Sequence, residues 1–313
     1  MVKFHWQRSW IYVDGWNNKV KKILRPIIDD IQAITDTSRN VKLHKTSYPH
    51  LSRELADILL QYKNYDQHKG DAWKLTSTPI SAELKKGLLK NYSSPPATLK
   101  FISSIRRSSP DICPMCGSPS TSTLDHVFPK DDYPEWAVFS NNLVPACDCN
   151  IKRKTLLKGN ALNQERVLHP YFDTCLQTRQ VSIVFTSHDN FRVVNISVDA
   201  INSTEPLYES IKFHIDKIVK PSGIVNWLEN KWSKLRISPS NVVHTLPFRV
   251  LRDENELEMF LIDALGRYDR SCGTPNNWDS IFLHGIINSP GVLTWLFNRH
   301  NDIVTGNINP TLD

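Results

Sequence analysis

DICPMCGSPSTSTLDHVFPKDDYPEWAVFSNNLVPACDCNIKRKT, residues 111–155, is the stretch around which this chain is organised. It opens with the pair Cys113 and Cys116, and a second pair, Cys147 and Cys149, follows about thirty residues later. Two cysteine pairs at such a separation are typical of a segment that folds around one metal ion. The stretch therefore predicts a metal-held scaffold.

Zinc is the expected ion, bound by all four cysteine thiolates in tetrahedral geometry. The alternative is two pairs of buried or disulfide-linked thiols. Disulfides belong to oxidising compartments, and the first residues, Met1 to Trp6, do not form the apolar core of a secretory signal. Cys147 and Cys149 are separated by one residue instead of two, so participation of both remains open. If one of them does not ligate, a His, an Asp or water must complete the coordination.

Three polar residues inside this frame form a candidate reactive site: Asp125, His126 and Asn150. Asp125 offers a carboxylate oxygen to a hard divalent cation, and Asn150 could add an amide oxygen. We expect Asp125 and His126 on a short strand over residues 122–128, where neighbouring side chains point to opposite faces. The carboxylate would then hold the ion, while the imidazole takes a proton from water.

The order of these residues resembles the HNH endonuclease motif: Cys-x-x-Cys, Asp-His, Asn-Leu-Val-Pro, then Cys-x-Cys-Asn with basic residues after it. The resemblance implies a ββα-metal fold, in which a β-hairpin and a helix surround one catalytic divalent ion. It implies His126 as the general base, Asp125 and Asn150 as ligands of Mg²⁺ or Mn²⁺, and Asn142 as the residue that braces the loop.

The identity of the middle asparagine of the motif stays open, and a run of basic residues follows the motif. The short Cys147–Cys149 spacing makes the middle asparagine ambiguous between Asn141 and Asn142, and we favour Asn142 because it directly precedes a leucine. Basic residues after the motif are expected to clamp a flanking phosphate; they are Lys152, Arg153 and Lys154.

Composition limits the class of protein. The 313 residues are 40% hydrophobic with nine Trp and twelve Phe, which is typical of a globular chain of two or three domains. No apolar run approaches the roughly 18 residues that a membrane span needs. We therefore expect a cytoplasmic protein with no membrane partner.

Positive charge is concentrated at the start of the chain. Residues 1–110 contain 19 Lys and Arg against 9 Asp and Glu, a net charge of +10, while the whole chain carries +6. Such a surplus of positive charge can simply form a solvent-exposed face of the protein. Directly before a candidate nuclease site, it is better explained by contact with phosphates. The candidate nucleic-acid contacts here are Lys85, Lys86, Lys90, Arg106 and Arg107.

Periodicity predicts an α+β protein with a basic helical region over 1–110 and a hairpin with further helices over 161–313. The resemblance implies an HNH nuclease module between them, over 111–160. The expected helices cover residues 17–35, where Pro26 kinks the helix or opens a second one, then 51–65, 82–92, 95–105, 206–218, 224–235 and 254–265. A last apolar segment covers residues 292–297. Two strands are expected over 181–185 and 191–198, and the tail 301–313 is expected to be loose. For His169 and Asp173 we favour an anchoring role over one at the metal.

The function that the resemblance implies is metal-dependent hydrolysis of phosphodiester bonds in DNA. Two alternatives are a zinc-dependent nucleic-acid-binding module without catalysis and a scaffold subunit of a larger complex. Single HNH modules between unrelated helical regions resemble effectors of bacterial anti-phage defence, which implies a protein partner such as an ATPase that gates the nuclease.

Overall fold

Helices and two short antiparallel sheets make up the fold, as seen in a computed structural model that describes residues 24–188, 190–201 and 204–310. The α+β prediction is confirmed at this level. The helices are α1 (Ile27–Ser38), α2 (His50–Arg53), α3 (Leu55–Gln67), α4 (Ala82–Ser93), α5 (Phe101–Arg107), α6 (Cys149–Arg153), α7 (Tyr208–His214), α8 (Ile224–Ile237), α9 (Pro239–Val242), α10 (Glu254–Cys272), α11 (Trp278–Ile287) and α12 (Pro290–Thr305). The strands are β1 (Thr123–His126), β2 (Leu143–Ala146), β3 (Val181–His188) and β4 (Val193–Ala200).

The N-terminal helices begin where the sequence supplies helix-start signals. Pro26 directly precedes α1, in agreement with a helix restart there, while residues 17–23 of the predicted first helix lie outside the described part. The Ser81 hydroxyl accepts a hydrogen bond from the N–H of Leu84 and caps α4. Residues 70–79, which precede the helix capped by Ser81, contain neither helix nor strand.

The central stretch folds as a hairpin followed by one short helix. β1 and β2 pair antiparallel, with Asp125 opposite Val144 and His126 opposite Leu143. α6 begins three residues after β2 ends, and its first residue is Cys149. The segment between the strands contains two 3₁₀ turns, Pro134–Trp136 and Ser140–Asn142, and it is almost entirely buried from Pro134 onwards.

The C-terminal region contains the predicted hairpin and helices. β3 and β4 pair in register from Val181–Ala200 to His188–Val193, and β4 alternates exposed and buried side chains. Asp253 caps α10 by accepting a hydrogen bond from the N–H of Glu256. The expectation of a loose tail from Asn301 is wrong for its first residues, because α12 continues to Thr305.

Buried apolar side chains from all three predicted regions belong to one continuous cluster. Tyr65 of α3 lies at one junction, with its ring centroid 5.1 Å from that of Trp136 and 5.2 Å from those of Phe128 and Phe139. The Trp136 indole also donates a hydrogen bond to the Gln61 carbonyl oxygen at 3.2 Å. The N-terminal helices thus pack directly on the loop that follows β1.

Among the described helices, none is by itself both long and apolar enough to cross a membrane. α11 and α12 together meet that criterion by length and composition, but they are bent by 94° at their junction.

Candidate metal centre and adjoining polar site

Four buried cysteines form a candidate metal centre. The Sγ atoms of Cys113, Cys116, Cys147 and Cys149 all lie within 4.8 Å of one another. Cys113 and Cys149 are 3.8 Å apart at sulfur, and Cys116 and Cys147 are 3.4 Å apart. A disulfide needs about 2.05 Å, whereas four sulfurs about 2.3 Å from one ion are separated by roughly 3.8 Å. The four thiols are therefore unlinked and spaced so that they could hold a metal ion.

The unusual Cys147–Cys149 spacing is accommodated because the chain changes from strand to helix between these residues. Cys147 directly follows β2 and Cys149 begins α6. The N–H of Cys149 donates to the Cys147 sulfur at 3.3 Å, and the N–H of Cys147 donates to the Cys113 sulfur at 3.4 Å. The geometry therefore brings both cysteines of the second pair to the centre.

The C-terminal region holds the first cysteine pair by its backbone. The His214 imidazole bonds the Met115 carbonyl oxygen through Nε2 at 2.6 Å, and the Trp278 indole donates to the Cys116 carbonyl oxygen at 2.8 Å. Gly117 has a φ of +78°, and a Cβ there would lie 1.9 Å from the Asn276 carbonyl oxygen. Sequence reasoning missed these contacts, since nothing in the sequence near His214 or Trp278 marks them as partners of the first cysteine pair.

His126 and Asp125 lie together on β1 as expected, but His126 is buried. Its side chain is 2% exposed, against 28% for Asp125. His126 Nε2 donates to the Ala137 carbonyl oxygen at 2.9 Å, which makes Nδ1 the nitrogen that carries the lone pair when the ring is neutral. Nδ1 lies 4.0 Å from Asp125 Oδ1. Burial lowers the pKa of His126 to about 4, so the ring is neutral at pH 7.

Asn142 braces the loop that follows β1. Its Oδ1 accepts hydrogen bonds from the N–H of Phe128 at 2.8 Å and from the Tyr65 hydroxyl at 3.2 Å. Its Nδ2 donates to the carbonyl oxygens of Phe128 at 3.1 Å and Trp136 at 3.2 Å. The side chain of Asn141, by contrast, contacts only its neighbour Ser140 among the hydrogen bonds of the described residues. The geometry therefore favours Asn142 as the loop-bracing asparagine.

Asn150 lies beside His126, and Arg153 is its partner. The Asn150 amide donates to the His126 carbonyl oxygen at 3.4 Å, and its Oδ1 accepts from Arg153 Nε at 3.0 Å. Arg153 also donates to the carbonyl oxygens of His126, Val127 and Leu156 at 2.8, 3.1 and 2.9 Å. It is only 5% exposed. The expectation that Arg153 clamps a phosphate does not fit this placement: Arg153 supports the site from within.

The remaining basic candidates lie at the surface. Lys152 and Lys154 are exposed; Lys152 pairs with Asp148 at 2.9 Å. Lys86 is exposed on α4, whereas Lys85 is half-buried and donates to the Asp131 carbonyl oxygen at 2.5 Å. Arg106 and Arg107 are exposed at the end of α5.

Tyr92 of α4 covers the imidazole of His126. The two ring centroids are 4.4 Å apart in an edge-to-face arrangement. The Tyr92 hydroxyl donates to the Leu124 carbonyl oxygen, and the Arg106 guanidinium lies over the tyrosine ring at 4.9 Å. Sequence reasoning missed Tyr92. The only available signal was its position seven residues after Lys85, which puts the two side chains on the same face of α4.

The segment from His169 to Asp173 anchors the core, in agreement with the interpretation favoured from the sequence. His169 is fully buried, and its Nε2 lies 2.9 Å from the Tyr65 hydroxyl and 3.1 Å from the Asn141 carbonyl oxygen. Asp173 forms a bidentate ion pair with Arg166 at 2.6 and 2.7 Å. Neither His169 nor Asp173 belongs to the four-cysteine group.

Comparisons with known proteins assign no family. No family model matches the chain, and no solved structure matches it. The protein ea31 of Escherichia phage lambda is 41% identical to it over 71 residues, which cover 21% of this chain and 23% of that protein. The matched part thus spans about a quarter of the phage protein, and its name states no activity.

Proposed function

We propose that this protein is a metal-dependent endonuclease of the HNH type that hydrolyses phosphodiester bonds in DNA. The observation that carries the proposal is the arrangement of His126 and Asn142. Asn142 fixes the loop after β1 through three hydrogen bonds, and that loop supplies the Ala137 carbonyl that holds His126 Nε2 at 2.9 Å. A histidine fixed in this way presents one unprotonated nitrogen, as a general base must.

The order of β1, β2 and α6 supports the same proposal, because a hairpin followed by a helix is the arrangement that the HNH resemblance implies. In this proposal the four cysteines bind one structural Zn²⁺ that joins the start of the stretch to α6. A neutral His126 would accept the proton of the attacking water at Nδ1, on the side of the ring that faces Asp125.

Asp125 and Asn150 are the proposed protein ligands of the catalytic Mg²⁺ or Mn²⁺, which when bound would neutralise charge at the phosphate. Asp125 is suited to this because its carboxylate is partly exposed. Asn150 Oδ1 already accepts from Arg153 at 3.0 Å, and a second lone pair on the amide oxygen remains for an ion. Lys152 and Lys154 stay as proposed phosphate contacts, and Arg153 is left out.

A zinc-dependent nucleic-acid-binding module without catalysis is the second candidate. It is favoured by two specific observations: the 2% exposure of His126 and the bond from Arg153 to the oxygen of Asn150. The role as a defence effector gated by a protein partner rests on the resemblance alone.

Incubation with supercoiled plasmid separates the two candidates. A nuclease nicks or linearises the plasmid with Mg²⁺ or Mn²⁺, and His126→Gln loses at least about 10²-fold in rate. Gln can still donate to the Ala137 carbonyl, so this variant is expected to fold, and a thermal melt checks it. His244→Ala, at an exposed histidine, serves as the matched control. A wild type that binds DNA but leaves the plasmid intact with both metals would favour the binding module.

A further inference from the structure

A cleft with a volume of about 430 Å³ lies directly beside Asp125. Its walls come from three separate elements: Tyr92 from α4, Arg106 from α5, and residues 121–125 from β1 and the segment before it. The cleft is therefore built by the basic N-terminal region and the central hairpin together. The HNH resemblance, which covers residues 111–155 alone, does not include Tyr92 or Arg106.

Arg106 is arranged to receive an anion in this cleft. Its guanidinium lies over the Tyr92 ring at 4.9 Å and donates one hydrogen bond to the Tyr92 carbonyl oxygen at 3.0 Å. The ring contact and this hydrogen bond hold the guanidinium in place, and its remaining N–H groups can bind a phosphate at two oxygens. The Arg106 side chain is exposed, so a phosphate can reach it.

Residues 121–125 line another part of the cleft, and most of them are polar. Among them, Asp125 is the one residue whose negative charge would repel a phosphate. Thr121 and Thr123 donate their hydroxyl hydrogens to the backbone carbonyl oxygens of Pro110 and Ala146, so each hydroxyl oxygen remains an acceptor toward the cleft. Ser122 between them is exposed. Hydroxyl oxygens that remain acceptors suit a hydrogen-bond donor, such as the N–H group of an unpaired base.

We propose that this cleft binds one nucleotide of an unpaired nucleic-acid strand, with its phosphate on Arg106. The volume lies in the range of small-ligand sites and matches about one nucleotide, so a base that enters the cleft has left its pair. Tyr92 acts as a positioning residue that holds Arg106. The inference rests on the proposed function, because it takes as the ligand the nucleic-acid strand that a nuclease would present to Asp125.

Fluorescence anisotropy with the full-length protein and no added divalent cation tests the cleft. The probes are a labelled twelve-nucleotide oligothymidylate and a duplex of the same length. The single strand is expected to bind at least about 10-fold more tightly than the duplex. Arg106→Ala should weaken single-strand binding by about 10- to 100-fold, the range for a charge-assisted hydrogen bond, and duplex binding by less than about 3-fold.

Two tyrosine variants separate positioning from folding. Tyr92→Phe keeps the ring under Arg106 and should bind the single strand within about 2-fold of wild type. Tyr92→Leu removes the ring and should weaken binding at least about 5-fold. Arg267→Ala, at an arginine 68% exposed on α10, is the matched control and should bind like wild type. Equal binding of both probes, or wild-type affinity in Arg106→Ala, would overturn the inference.

Plasmid cleavage measured in parallel keeps the two proposals apart. Cleavage by wild type together with unaltered single-strand binding by Arg106→Ala would overturn the cleft and leave the nuclease intact. Arg106-dependent binding of the single strand without any cleavage would support the cleft and overturn the nuclease.

Discussion

Asn142 and Phe128 exchange two hydrogen bonds: the N–H of Phe128 donates to Asn142 Oδ1 at 2.8 Å, and Asn142 Nδ2 donates to the Phe128 carbonyl oxygen at 3.1 Å. Both residues are completely buried. Because the Asn142 side chain bonds both backbone polar groups of Phe128, this part of the backbone cannot move independently of Asn142. The loop after β1 therefore takes its conformation from Asn142.

Asn142→Ala is expected to lower the free energy of unfolding by about 2–4 kcal/mol, because buried backbone groups of Phe128 and Trp136 lose their partners. Asn141→Ala should cost less than half as much, since its side chain contacts only Ser140 among the hydrogen bonds of the described part. Urea denaturation of the two variants compares them directly. Equal losses would contradict the assignment of Asn142 as the bracing residue.

Purified protein is expected to contain one equivalent of zinc per chain. Replacing any one of Cys113, Cys116, Cys147 and Cys149 by Ser should remove the metal and cost more than about 4 kcal/mol of stability, or make the chain insoluble. Elemental analysis and a thermal melt give the two readouts.

Cys272→Ser is the control for this series, because Cys272 lies outside the four-cysteine group and is only half-buried. It should keep the full zinc content. A Cys149→Ser protein with undiminished zinc would mean that the short spacing does exclude one thiolate from the centre.

Asp30 should make stability depend on pH. Burial raises its pKa to about 6 from an ordinary value of 3.8, although Arg25 at 3.1 Å and Ser140 lower it. A carboxyl group whose pKa is higher in the folded than in the unfolded state makes its full contribution to folding stability below the unfolded-state pKa. This contribution is lost as the pH rises through about 6. Between pH 5 and pH 7.5 the loss is roughly 1 kcal/mol.

Asp30→Asn isolates this effect, because the buried histidines, such as His169 with a pKa lowered to about 4, act in the opposite direction in both proteins. The difference in unfolding free energy, wild type minus variant, should fall by roughly 1 kcal/mol from pH 5 to pH 7.5. A difference that stays constant over this range would mean that Asp30 does not titrate there.

Salt dependence tests the basic surface of α4. The logarithm of duplex affinity should fall linearly with the logarithm of salt concentration, with a slope of about −0.9 for each phosphate neutralised. Lys85→Ala/Lys86→Ala should reduce the size of the slope by about two. Arg267→Ala is again the control. An unchanged slope in the double variant would favour an acidic protein as the partner of this helix.

The sequence by itself determined the local elements. Ser81 and Asp253 supplied their helix caps, the alternation over residues 181–198 defined a hairpin, and the cysteine spacing predicted that four thiols form one cluster. The caps and the hairpin depend on hydrogen bonds and periodicity between residues near each other in the chain, and the paired spacing of the cysteines is itself a sequence pattern, so all three are visible without the fold.

Tertiary structure alone decided which polar residues face solvent and which face each other. Arg153 lies between the exposed residues Lys152 and Lys154, yet its guanidinium turns inward to three backbone carbonyls. Tyr92 and Trp278 reach the site from helices far away in sequence. Side chains of this kind carry no local signal, because burial depends on which distant surfaces come together, and a buried arginine is stabilised only after those carbonyls have been assembled around it.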